Sequence, residues 1–262
     1  MASTVAAPST DARRQLSALP PLTFASVLLR GILAGAVAGV AAAMVAWLLV
    51  ERPIRVALAI EEARSSVPEA SGHSHEELFS RAVQVVGGML AAVVVAICVA
   101  AVFAVVFAKV RHRLPAATDF GRVALLAATG FVTVALLPAL KYPANPPGVG
   151  DPETVTSRTL LYVSFIGAAM VVAYLAYAAR ARLAARGWSG AHRSAVVAAG
   201  TVVAIALLFI VWPASSDPIP DDIGAGLLWE FRLYSLLELA TLWTVLGLTF
   251  GLLLAPRAAD RT

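Results

Sequence analysis

RVALLAATGFVTVALLPALK, residues 122–141, decides the fold. An arginine and a lysine bracket eighteen residues that carry no charge. At about 1.5 Å per residue, a helix over 123–140 is roughly 27 Å long, close to the hydrocarbon thickness of a bilayer. A lone segment in lipid must satisfy its own backbone groups, and only a helix does so. The stretch predicts a transmembrane helix.

The pattern recurs along the chain. Of the 262 residues, 60% are hydrophobic, and the mean hydropathy is +0.82. Apolar runs of spanning length fall at about 24–50, 82–108, 122–140, 159–179, 194–213 and 231–254. A soluble domain of this size is nearer half apolar and does not repeat such runs. The expectation is an all-α integral membrane protein, a six-helix bundle forming one transmembrane domain over 22–256. A disordered cytoplasmic tail is expected at 1–21 and a short cytoplasmic tail at 257–262. Ala41-Ala42-Ala43 resembles a cleavage context, but the run from Gly31 to Val50 exceeds a signal h-region and reads as a retained first helix. The pair Arg13-Arg14 lacks the hydrophobic residues that follow a twin-arginine signal.

Charge sets the orientation. The tails and the even loops carry twelve cations: Arg13 and Arg14; Lys109, Arg111, Arg113 and Arg122; Arg180, Arg182, Arg186 and Arg193; Arg257 and Arg261. The odd loops carry seven: Arg52, Arg55, Arg64 and Arg81; Lys141 and Arg158; Arg232. The positive-inside rule puts both termini in the cytoplasm of a multi-pass cell-membrane protein. The net charge of +4 is thus sorted by membrane side, which argues against a nucleic-acid partner. Acidic residues gather on the outer side instead, where they concentrate cations.

Outward from the third span runs the connector KYPANPPGVGDPETVTSRT, residues 141–159. Pro143, Pro146 and Pro147 fix φ and lack donors, so it is neither helix nor central strand. Lys141 and Arg158 stand at its ends, and the acidic turn of Asp151 and Glu153 is placed to cap the next helix. The connector reads as a packing device or as the lining of a path. The first outer loop, 51–81, opens Glu51-Arg52-Pro53, a helix start with proline in the first turn. Val56, Ile60 and Ala63 recur opposite Glu61, Glu62 and Arg64, predicting a short amphipathic helix at the outer surface.

That loop ends in His73, His75, Glu76 and Glu77, four donors within five residues. Imidazole with carboxylate suits Co2+, Ni2+ and Zn2+, and a flexible loop can wrap such a set round one ion. The plain alternative is a solvated polar loop. Glu238 sits about 7 Å inside the last span if Leu233 is its boundary. Ionisable groups at such depth face the protein or a water-filled path, unless Arg158 or Arg81 pairs with it at the interface. Residues expected to brace or line that path are Glu51, Glu61, Glu62, Arg81 and Lys141. Asn145, Asp151, Glu153 and Arg158 join them. Gly31, Gly35 and Gly39, and again Gly247 and Gly251, repeat every fourth residue, the spacing of close helix packing.

Some classes are excluded. The lone Cys98 forms no disulfide within the chain and no CxxC site. No lysine follows a GxxxxG, so there is no P-loop and no nucleotide is expected. GxSxG and HExxH are missing, and nothing argues for an enzyme.

The connector resembles that of the CbtA family of cobalt transporter subunits, whose KYPANPP-x-x-GDPET-type motif is matched from Lys141 to Thr154, with Arg158 and Thr159 completing it. RGILAGAVAG at 30–39, EEARS at 61–65, the His/Glu segment at 73–77, SRAVQ at 80–84 and LLWEFRLYSL at 227–236 agree. The resemblance implies cobalt uptake feeding cobalamin synthesis, beside a small CbtB-type membrane subunit or a second copy of this chain. It implies Co2+ as the transported ion and no permanently bound cofactor. Family members often carry a longer histidine run than His73 and His75, and five spans rather than six; six keeps both termini on the positive side. The alternative is a non-transporting membrane anchor or a metal-responsive regulatory partner.

Overall fold

A computed structural model describes residues 23–65, 80–214 and 219–255, and no strand occurs among them. Helix α1, Phe24–Val45, starts at Thr23, whose hydroxyl accepts from the Ser26 amide at 3.2 Å. It runs through a π-turn, Ala46–Val50, directly into α2, Glu51–Ser65. Helix α3 spans Arg81–Val110. Helix α4, Asp119–Gly130, is capped by Thr118 and passes through a second π-turn, Phe131–Leu136, into α5, Leu137–Lys141. The connector leads to α6, Val155–Ala185, then α7, Gly190–Val211, and α8, Ala225–Leu254. Six of these rods are long and apolar enough to cross a membrane, the number hydropathy predicts.

Both π-turns have the same physical origin. Proline has no amide proton, and its ring crowds the carbonyl four residues back. For Pro53 that carbonyl belongs to Leu49 and for Pro138 to Val134, each inside a π-turn. The helix slips one residue in register there and continues. So Glu51-Arg52-Pro53 does not start a separate helix: α2 extends the first rod. Its covered face also differs from the expected one. Pro53 and Ala57 are buried, and Ile60 packs on Val149, Ile223 and Leu228, whereas Val56 is 51% exposed. The apolar partners for α2 come from the connector and α8, and they meet the Pro53–Ala57–Ile60 face.

The bundle core joins α1, α3, α4 and α8. Gly31, Gly35 and Gly39 lie against Ala104, Ala100 and Ala96 of antiparallel α3, so closely that a methyl on Gly35 would stand 2.5 Å from the Ala100 Cβ. Gly247 and Gly251 meet Ala127 and Phe120 of α4 in the same manner. Around these seams Phe103 packs edge-on to Trp243 and Phe250, and Phe107 to Phe250, with centroids 5.5–6.1 Å apart. At the end opposite the connector, Asp119 accepts from Arg111 and Arg122.

The α6–α7 hairpin is peripheral. Phe165 is its anchor, ringed edge-to-face by Tyr142, Phe209 and Trp212 and packed near Leu137 of α5. Leu208 alone among the residues of α7 is buried. A helix so apolar and so uncovered is stable against lipid or another membrane segment.

The α1–α3 seam yields a test. Gly35→Val inserts bulk with no room to move and is expected to cost about 1–3 kcal/mol or abolish the folded monodisperse peak. Gly200→Ala, at an open position on α7, is expected to leave it unchanged. Size-exclusion chromatography and thermal melts of the detergent-solubilised variants check both.

Candidate functional site

The connector end of the bundle is tied by two arginine–carboxylate pairs. Glu51, with 9% of its side chain exposed, accepts from Arg81 Nη2 at 2.6 Å and Nε at 3.1 Å, and from Arg55 Nε at 3.0 Å. Arg81 also donates to Gln84 Oε1 at 3.0 Å. The first rod and α3 are thereby clamped at the connector end of their glycine seam. Arg64 of α2 grips Asp222 with two nitrogens and donates to the Gly148 carbonyl at 3.0 Å. One guanidinium therefore joins α2, the connector and the segment before α8. The hydrogen bond from Arg64 holds the Asp222 carboxyl below the usual carboxylate range. A depressed carboxylate stabilises at neutral pH and loses that contribution as pH falls through its lowered value. Glu61 and Glu62 are exposed, Glu61 alongside Gly148.

The connector turns at Gly148 and Gly150, with φ of 73° and 104°, a conformation that favours glycine. Asp151 accepts from the Glu153 amide at 2.8 Å and its carbonyl accepts from Thr154 Oγ1, so the acidic residue caps the one-turn helix Pro152–Thr154 that leads into α6, whereas α6 itself begins after Thr154 with no side-chain cap. Glu153 is exposed. Three cations converge behind this turn. Lys141 donates to the Phe209 carbonyl at 2.9 Å, Arg158 to the Asp151 carbonyl at 3.2 Å, and Arg232 to Asn145 Oδ1 at 2.9 Å and the Ala144 carbonyl at 3.2 Å. They line a cavity of about 530 Å3 together with Asn145, Tyr142 and Tyr162, and no Asp or Glu is among its described lining residues. A cation entering it meets like charges from these three side chains. The pairing of Arg232 with Asn145 joins residues 87 apart, and spacing along the chain gives no signal of it.

Glu238 lies midway along α8. Helix α8 begins at Ala225, not near 231, because Gly224 starts the helix on the polar side of the apolar run. Glu238 therefore stands thirteen residues after Ala225 and sixteen before Leu254, about 20 Å and 24 Å at helical rise. It is half-buried and makes no hydrogen bond or ion pair among the described residues. The arginines offered as its partners are engaged elsewhere, Arg81 with Glu51 and Arg158 at Asp151.

His73, His75, Glu76 and Glu77 lie outside the described residues. Among the described residues no three His, Cys, Asp or Glu side chains gather into a metal cage. His112 is exposed, and His192 bonds Ser189 Oγ at 2.7 Å at the start of α7. A second cavity of about 340 Å3 between α4, α6 and α7 escaped the sequence reading. Its polar groups are hydroxyls: Thr129 Oγ1 meets Tyr177 Oη at 2.9 Å, and Thr133 donates to the Thr129 carbonyl at 2.9 Å. Threonines inside the third apolar run were the available signal.

Against known proteins, the family model described as probable cobalt transporter subunit (CbtA) matches residues 24–255, and the chain belongs to that family. Neither a curated protein nor a solved structure matches it.

The Glu51–Arg81 clamp predicts non-additive energetics. Glu51→Gln, Arg81→Gln and the double variant, melted in detergent, should give a coupling of about 1–2 kcal/mol, tempered because Arg81 remains partly exposed. Glu62→Gln, exposed on α2, should stay within about 0.5 kcal/mol. Additive single effects would mean that the clamp is not formed.

Proposed function

We propose that this member of the CbtA family is the membrane subunit of a Co2+ uptake system, with Glu238 as the carboxylate that receives the ion inside the bilayer. The observation that carries this reading is the position of Glu238: mid-helix, half-buried and without a partner among the described residues. An ionisable group at that depth is costly, and such groups mark ion pathways and proton relays. A dication leaving water needs compensating negative charge, and this carboxylate is placed to supply it. In this reading the outer acidic residues concentrate the ion, and His73, His75, Glu76 and Glu77 take it transiently before it passes between helices to Glu238. Glu51 and Asp222 stay locked in their arginine pairs and keep the outer end in shape.

Energy need not come from nucleotide. Two charges moving inward at 100 mV gain about 4.6 kcal/mol, equivalent to a gradient of more than about a thousandfold. The exposed apolar surfaces of α7 and the outer half of α3 leave room for a small CbtB-type subunit or a second copy. Cobalamin synthesis is the use for the ion that the family resemblance suggests.

Initial rates of radiolabelled Co2+ uptake, in cells matched for membrane abundance, test the proposal. Glu238→Gln should lower the rate by about tenfold or more, a loss of at least roughly 1.4 kcal/mol, and Glu238→Asp should retain part of it. His73→Ala/His75→Ala should raise the half-saturating Co2+ concentration while sparing the maximal rate. Uptake no different from cells without the protein would favour a non-transporting anchor or regulator. Wild-type rates in Glu238→Gln would remove Glu238 from the path.

A further inference from the structure

We propose that the cationic cavity behind the connector binds a phosphate group, carried either by an anionic lipid headgroup or by dissolved phosphate. The inference is independent of Co2+ transport. Lys141 closes α5, Arg158 stands on the first turn of α6, and Arg232 on the second turn of α8. Three separate helices thus bring cations to one space of about 530 Å3. The contacts that hold Lys141 and Arg232 in place are to neutral groups, backbone carbonyls and an amide oxygen, and neither residue meets a carboxylate among the described residues. Among the described residues, their charge is positioned but not neutralised. This contrasts with Arg64 and Arg81 at the same end of the bundle, each of which is matched to a carboxylate.

Gathering like charges around a cavity is unfavourable unless an anion offsets them. A phosphate suits this set: its oxygens accept from guanidinium forks and an ammonium together, the pairing for which arginine geometry is best adapted. Tyr162, which has no hydrogen bond among the described residues, adds a hydroxyl at the wall. The volume exceeds that of a bare phosphate, and Ile219 and Val155 form an apolar part of the lining, room for the glycerol of a lipid. The site lies where apolar helices give way to the polar connector, the depth at which headgroup phosphates sit.

The test uses the full chain, purified in a neutral detergent, with thermal unfolding midpoints as readout. One arm adds phosphatidylglycerol against diacylglycerol, which has no phosphate. The other adds inorganic phosphate against chloride at matched ionic strength. A rise of several degrees in either arm is expected, with apparent affinity about tenfold weaker in Lys141→Gln and in Arg158→Gln. Stabilisation by phosphatidylglycerol alone assigns the site to a lipid; stabilisation by inorganic phosphate assigns it to a soluble anion. Arg232→Lys keeps the charge but loses the fork, and should bind with intermediate strength. No shift in either arm with the wild-type chain overturns the proposal, as does an undiminished shift in a folded Lys141→Gln/Arg158→Gln variant.

Discussion

Backbone contact between α1 and α3 is the constraint on which the rest of the structure depends. In lipid the hydrophobic effect does not drive helices together, so association rests on close packing and on polar contacts between them. Gly31, Gly35 and Gly39 let α1 approach the alanine face of α3 until no side chain separates them. The Glu51–Arg81 pair then closes the same seam at the connector end, where α1 gives way to α2. With those two rods joined, α8 packs its aromatic and glycine positions against α3 and α4, and α2 is brought over the connector.

This arrangement divides the charged groups by task. At the connector end, Glu51 and Asp222 are matched to arginines and hold segments together. Behind the connector, three cations share a cavity without a carboxylate among its described lining residues. Deep in α8, Glu238 has neither kind of partner among the described residues. The connector, the most distinctive stretch of the chain, backs onto the cationic cavity, and Glu238 is not among that cavity's lining residues.

Much of the fold was legible because its cause is local. Uncharged runs announce spans, and glycine at every fourth residue announces a seam; Gly31, Gly35 and Gly39 sit where that rule puts them. Register slips are harder to read. Pro53 and Pro138 lie beyond the turns they distort, and composition does not say whether a proline breaks a helix or only shifts its hydrogen bonds. The start of α8 was harder to read because the helix begins in polar sequence, before hydropathy rises. Arg232 was visible only as a loop charge; its contact with Asn145 depends on how α8 meets the connector, which no spacing encodes. His73 and His75 are legible as a metal-ligand pattern and lie outside the described residues.

Orientation in the membrane is the claim beneath the functional account, since collection of a dication for uptake needs the connector end to face away from the cytoplasm. Single-cysteine labelling measures it directly. In a Cys98→Ser background, Glu153→Cys marks the connector and His112→Cys the turn after α3, both at exposed positions. With a membrane-impermeant maleimide on intact cells, the account predicts labelling at 153, and labelling at 112 only after permeabilisation. Labelling at 112 with protection at 153 would contradict it.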